Sequence, residues 1–139
     1  IEHKFMIENP HKFKYNFVML VDDDDIANFL NRKLLEICSF SRKIKGFNKS
    51  SEALDFLKER VESNEPHPEI FFIDLNMPVM DGFELLEEMK KLFKDKFNEI
   101  KIVVLTSSVD LNDRRKVELI SENIIFFNKP LIEKMLNSL

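Results

Sequence analysis

The chain has a single cysteine, Cys38, in 139 residues. An internal disulfide is excluded, and the expected setting is a reducing, cytoplasmic compartment. Cys38 stands at helical spacing from Leu34 and reads as a small core residue. No apolar run approaches the roughly 20 residues of a membrane span, and no signal-peptide pattern is present, so no membrane association is expected. Positive charge is not in excess: 21 Lys and Arg stand against 25 Asp and Glu, a net charge of −4. That balance argues against direct nucleic-acid binding. Histidine is scarce. His3, His11 and His67 fall in loops or in the N-terminal arm, where neither metal binding nor phosphotransfer is expected of them.

What is present is a folding composition. Hydrophobic residues make up 44% and charged residues 33%, which suits one globular domain with one core. Residues 1–16 show no period and read as an arm, followed by one domain over residues 17–139. From Phe17 onward, strand-like and helix-like segments alternate. Phe17–Val21 is a continuous apolar run, typical of a strand buried on both faces. Asp24 and Asp25 open a helix with Ala27, Leu30, Leu34 and Ile37 on one stripe. Lys43–Phe47 reads as a short, more exposed strand. Ser50 or Ser51 then caps a helix with Leu54, Leu57 and Val61 inward.

Pro66 and Pro68 break that helix, and a strand from Ile70 to Ile73 follows. After Gly82 comes a helix with Leu85, Leu86, Met89, Leu92 and Phe93 on its inner face. Ile102–Leu105 is a fourth strand, Leu111–Ile120 a charged helix and Ile124–Phe127 a fifth strand. Pro130 opens a last short helix carrying Leu131, Met135 and Leu139. Five strands alternating with five helices imply an α/β fold, a doubly wound parallel sheet.

Four strands end in polar residues of distinct type: Asp22-Asp23, Asp74, Thr106 and Lys129. In a parallel sheet these ends share one edge. Three carboxylates brought together repel, so the cluster needs a cation. Hard oxygen ligands with room for water point to Mg2+. Three acids, one divalent ion and Lys129 balance in charge, which prepares the site for a phosphoryl group. The metal and Lys129 would neutralise its oxygens, and Thr106 would donate a hydrogen bond. Asp74 stands alone at its strand end and is the candidate nucleophile for an aspartyl phosphate. Asp22 and Asp23 are left to hold metal, while Asp24 and Asp25 read as helix caps.

With these residues in place, the sequence resembles a CheY-like response regulator receiver domain of two-component signalling, single-domain type. The resemblance rests on Leu20-Val21-Asp22-Asp23, on Asp74-Leu75-Asn76-Met77-Pro78-Val79-Met80-Asp81-Gly82, on Val104-Leu105-Thr106-Ser107 and on Asn128-Lys129-Pro130. It covers roughly residues 16–139. It implies a flavodoxin-like, five-stranded parallel sheet of order 2-1-3-4-5. It also implies a phosphorylation site at Asp74. Asp22, Asp23, Asp74 and the backbone carbonyl of Asn76 would hold Mg2+. Thr106 and Lys129 would contact the phosphoryl group, and Thr106 with Phe126 would form the switch. Asn76 and Ser108 occupy positions that tune water access. The implied partners are a sensor histidine kinase or histidine phosphotransfer protein and a downstream effector protein. The effector would bind at the face of the fourth helix, fifth strand and fifth helix. Where many relatives carry Tyr, this chain has Phe126, so the packing role is expected to survive without the hydroxyl contact.

Two other functions fit parts of the pattern. A haloacid-dehalogenase-like, Mg2+-dependent phosphohydrolase also uses a strand-end Asp with a Ser/Thr and a Lys. It needs a second acid two residues after the nucleophile, where this chain has Asn76. A scaffold receiver that is never phosphorylated would lack some of the acids or the Lys, and all are present. The expected role is therefore a signalling phosphoacceptor, not an enzyme beyond transferring and losing its own phosphoryl group. Output is expected from a partner or a later relay step, with a fragment of a larger regulator as the alternative.

Overall fold

The computed structural model describes residues 12–139, so His3, His11 and most of the expected arm lie outside the described residues. Five strands form one sheet: β1 (Tyr15–Val21), β2 (Ser41–Phe47), β3 (Ile70–Ile73), β4 (Lys101–Thr106) and β5 (Ile125–Asn128). The order is β2-β1-β3-β4-β5, and every pairing is parallel. The helices are α1 (Asp25–Ile37), α2 (Ser50–Glu62), α3 (Gly82–Phe93), α4 (Leu111–Ile120) and α5 (Glu133–Asn137). A 3-10 turn, Lys94–Glu99, extends α3 toward β4 and buries Phe97.

Side chains alternate across the sheet and so divide the core in two. Val18, Leu20, Ile70, Phe72, Val103 and Leu105 face Leu35 of α1 and Leu136 of α5. Met19, Val21, Phe71, Ile73, Ile102 and Val104 face α2, α3 and α4. Strands covered on both faces need apolar residues at every position, which explains the unbroken runs in β1, β3 and β4. Each fully buried Leu, Ile or Phe there contributes about 2 kcal/mol of transfer free energy.

Several local expectations need correction. β1 starts at Tyr15, two residues before Phe17. Its pairing with Ser41 and a hydrogen bond from Tyr15 N–H to the Phe40 carbonyl recruit the end of the expected arm. In α1, Leu30 and Ile37 point outward and Leu35 is the buried residue. The helix is apolar on more than one side, so its period does not fix which side faces the sheet. Val61 of α2 is also exposed. Neither serine caps α2: Lys49 holds that position without a side-chain bond, and buried Ser50 lies against the Met77 sulfur. Leu131 precedes α5, whose first residue is Glu133, and Leu139 follows its end; both are buried, and Leu136 is the buried residue of the helix itself. Cys38 is half-buried against the α1–α5 side of the core, and burial raises its thiol pKa.

Candidate functional site

The parallel register delivers the predicted residues to one edge. Asp22 directly follows β1, Asp74 follows β3, Thr106 ends β4 and Lys129 follows β5. Thr106 lies opposite Asn128 in the β4–β5 ladder, and the Lys129 N–H donates to the Thr106 carbonyl at 2.9 Å. Asp22, Asp74 and Thr106 are buried, at 4%, 6% and 0% exposure. Asp23 is open to solvent. One carboxylate oxygen from each of Asp22, Asp23 and Asp74 lies within 4.8 Å of the others.

Lys129 spans the two buried acids. Its Nζ donates to Asp22 Oδ2 at 2.6 Å and to Asp74 Oδ2 at 3.2 Å. One ammonium cannot neutralise two carboxylates. Burial first, and the Asp22 charge second, push the Asp74 pKa above the usual carboxylate range; Lys129 and the Asn76 backbone pull it back only in part. Burial lowers the Lys129 pKa, but the bond to and charge of Asp22, then Asp74, outweigh it and leave the ammonium more firmly protonated than usual.

The second oxygen, Asp74 Oδ1, is buried without a hydrogen-bond partner. A buried anionic acceptor left bare costs free energy, and a cation at that oxygen removes the cost. The three acids carry three negative charges against one positive, so the donor set fits one divalent ion. All-oxygen ligation with an exposed side for water suits a hard cation of the Mg2+ or Mn2+ type.

The backbone around the acids is arranged to hold them. Asp22 Oδ1 accepts from the Asp24 N–H, and Asp24 caps α1 through the Ile26 N–H, both at 2.9 Å. Asn28, one turn into α1, donates its Nδ2 to the carbonyls of Asp22 and Phe47, tying the ends of β1 and β2 to the helix. Beyond Asp74 the loop turns tightly. The Met80 N–H reaches the Pro78 carbonyl, with Val79 at φ 69° and fully exposed. The Gly82 N–H donates to the Leu75 carbonyl, and a Cβ on Gly82 would come within 2.3 Å of the Asp74 carbonyl oxygen. Asp81 and Glu84 close a capping box at the start of α3.

On the other side of the site, the Thr106 hydroxyl accepts from the Ser108 N–H at 3.2 Å. Phe126 is half-buried against the α2–α4 side of the core, with the Arg114 guanidinium 5.4 Å from its ring centre. Asn76 is exposed, and Ser108 is half-exposed and bonded to Asp113. His67 packs its ring against Phe93, away from the acids. Asn28 and Asp113 give no signal in the sequence. Asn128 stands beside Lys129 at the end of an apolar run, so its place at the sheet edge is legible, but only the fold shows what its amide bonds.

Known proteins share this fold and much of this sequence. The family model for the response regulator receiver domain matches residues 18–138. Among curated proteins, the chain is 30% identical over 106 residues to response regulator Rcp1 of Synechocystis, covering 76% of this chain and 68% of that one. It is 28% identical to the probable methanogenesis regulatory protein FilR2 of Methanothrix harundinacea, covering 71% and 63%. The match takes in less than two thirds of FilR2 and only 6% of hybrid signal transduction histidine kinase D of Dictyostelium discoideum. Among solved structures, a two-component response regulator from Cytophaga hutchinsonii superposes with a TM-score of 0.81 at 33% identity, covering 90% of this chain and 93% of that one. The Mn(2+)-bound form of Rcp1 gives 0.70 at 27% identity, covering 88% and 87%. The matched span includes every strand-end residue of the site, and this chain belongs to the family of response regulator receiver domains.

Proposed function

We propose that the chain is a Mg2+-dependent phosphoacceptor in a two-component phosphorelay, with Asp74 as the phosphorylated residue. The observation that carries this reading is the split environment of Asp74: one oxygen is held by Lys129, and the other is buried and bare beside two further acids. Asp22, Asp23, Asp74 and the Asn76 carbonyl would hold the ion. Bound there, Mg2+ supplies positive charge for the oxygens of the transferred group. The Mn(2+)-bound state of Rcp1 supports a divalent ion here.

The residues of the chain do the rest. An Asp74 oxygen attacks the phosphorus of a phosphohistidine on a sensor kinase or phosphotransfer protein. The P–O bond forms as the P–N bond breaks, and the imidazole keeps the electron pair. Lys129 stays protonated and moves its hydrogen bonds onto the phosphoryl oxygens. Thr106, freed from the Ser108 N–H, donates its hydroxyl proton to the same group. Those contacts exist only in the phosphorylated form, so they bias the protein toward a second arrangement. Phe126 and α4 carry that bias to the α4–β5–α5 face, where an effector binds. Asn76 and Ser108 flank the path of water and set how long the phosphoryl group lasts. A phosphohydrolase is disfavoured by Asn76, an exposed amide where an acid/base carboxylate would be needed. The presence of every acid and of Lys129 disfavours an unphosphorylated scaffold.

Incubation with acetyl phosphate and Mg2+ tests the assignment. A mass gain of one phosphate is expected in the wild type, lost with chelator and lost in Asp74→Asn. Equal labelling of both proteins would remove Asp74 from the role.

A further inference from the structure

The loop from β4 to α4 is fastened at both ends, and one fastening comes from a residue that the phosphoacceptor reading leaves without a role. Asn128 is the last residue of β5. Its Nδ2 crosses to the loop and donates to the Ser108 carbonyl at 2.7 Å and to the Thr106 carbonyl at 3.3 Å. Ser108 is also held from the helix side: its Oγ donates to Asp113 Oδ2 at 2.5 Å and accepts from the Asp110 N–H at 3.2 Å. Between these ties, the Ser108 N–H donates to the Thr106 hydroxyl oxygen.

These bonds couple the position of Ser108 to the position of the Thr106 hydroxyl. If Thr106 turns toward Asp74, the Ser108 N–H loses its acceptor. The loop must then shift to find another, and a shift strains the bonds to Asn128 and Asp113. The resting arrangement thus holds contacts that the turned arrangement gives up. We propose that Asn128 is a positioning residue: a latch from β5 that holds Ser108, and through it Thr106, in the resting geometry. It would set how much phosphoryl contact is needed to turn the switch. This deepens the phosphoacceptor reading and rests on it.

Asn128 is exposed, so its bonds compete with water and their net effect is modest. One ordinary hydrogen bond shifts a two-state population by about 3- to 10-fold. Two measurements on the full chain test the latch, with Asn128→Ala and Asn128→Asp as variants. Asp keeps the size of Asn but removes both donors. Amide hydrogen exchange without metal is expected to speed up by about 3- to 10-fold at Ser108 and in the first turn of α4, while β1 and β3 amides stay as in the wild type. Beryllofluoride with Mg2+, a phosphoryl mimic, is expected to bind Asn128→Ala more tightly by a similar factor.

Unchanged exchange at Ser108 in both variants overturns the latch, whatever beryllofluoride does. Faster exchange throughout the sheet with no gain in beryllofluoride affinity also overturns it, because that is the mark of a stabilising residue only. If the wild type fails to bind beryllofluoride, or Asp74→Asn binds it equally well, the phosphoacceptor reading falls. The exchange experiment then still decides whether Asn128 holds the loop.

Discussion

Asp74 sits in surroundings that oppose its own charge. Burial and the Asp22 carboxylate raise its pKa above the ordinary 3.8, and Lys129 offsets only part of this. The native state therefore holds the Asp74 proton to higher pH than the unfolded chain does. Between the two pKa values the native state binds more protons, so stability falls as pH rises through that window. The contribution is complete below about pH 3.8 and is lost above the raised native value. An asparagine at this position mimics the protonated acid and does not titrate. In chelator, urea denaturation is expected to show Asp74→Asn more stable than the wild type at neutral pH, with the excess shrinking toward pH 4. Mg2+ should narrow the gap at neutral pH by stabilising the wild type. An excess that stays constant with pH would mean that the charge is not its cause. The residues of this cluster are legible in the sequence because each ends an apolar run. A polar side chain after four or five buried positions has to surface at the sheet edge. Asn28 carries no such marker, and Asn128, although it ends the apolar run of β5, carries none that tells what its amide bonds. Their amides reach carbonyls 19 and 20 positions away in sequence, and local pattern carries no trace of such bonds.

The segment from β3 into the first turn of α3 joins the acid to its supporting helix, and two of its residues pull stability in opposite directions. Gly82 lets the first turn of α3 lie on the backbone of Asp74 and Leu75, where an added Cβ would meet main-chain atoms at 2.3 and 2.7 Å. Main chain cannot step aside as a flexible side chain can. Gly82→Ala is expected to cost about 2 kcal/mol and to displace Asp74. Val79 is fully exposed and packs against nothing, yet holds φ at 69°. A β-branched residue is disfavoured there by about 1–2 kcal/mol. Val79→Gly relieves this at some cost in backbone entropy, leaving an expected gain of about 0.5–1 kcal/mol. Denaturant midpoints of the two variants, measured beside the wild type, check both signs. A stable Gly82→Ala would show that the close approach has slack. The sequence marks this segment as a loop through Pro78 and Gly82, but not the unusual backbone of Val79, which favours an extended conformation by type. The inner face of α1 is illegible for a different reason. With Ile26, Phe29, Leu30, Leu34, Leu35 and Ile37 in one helix, more than one stripe satisfies the helical period. Only the position of the helix on β1 selects Leu35.

The same excess of apolar residues on α1 leaves a patch at the mouth of the site. Ile26, Phe29 and Leu30 are 70%, 58% and 59% exposed. A groove of about 320 Å³ runs from Ile26 and Leu30 to Lys129, Pro130 and Leu131. Lys129 lines it and also holds Asp74, so whatever fills the groove lies close to the acid. A small donor such as acetyl phosphate would reach Asp74 without needing this surface. On the proposed function, a protein donor would have to bring a histidine to Asp74 and cover the ground around it, and an exposed apolar rim gains most from being covered. Leu30→Asp removes about 1.5–3 kcal/mol of apolar burial and adds a charge to desolvate. Phosphotransfer from a histidine phosphotransfer protein that labels the wild type is therefore expected to fall at least about 10-fold in Leu30→Asp. Labelling by acetyl phosphate and Mg2+ should stay within about 2-fold of the wild type, because Leu30 touches none of the acids. The two rates, measured on the same preparations, separate docking from chemistry. Equal losses with both donors would place the damage in the acid site or the fold. No loss with the protein donor would mean that it approaches Asp74 across another face.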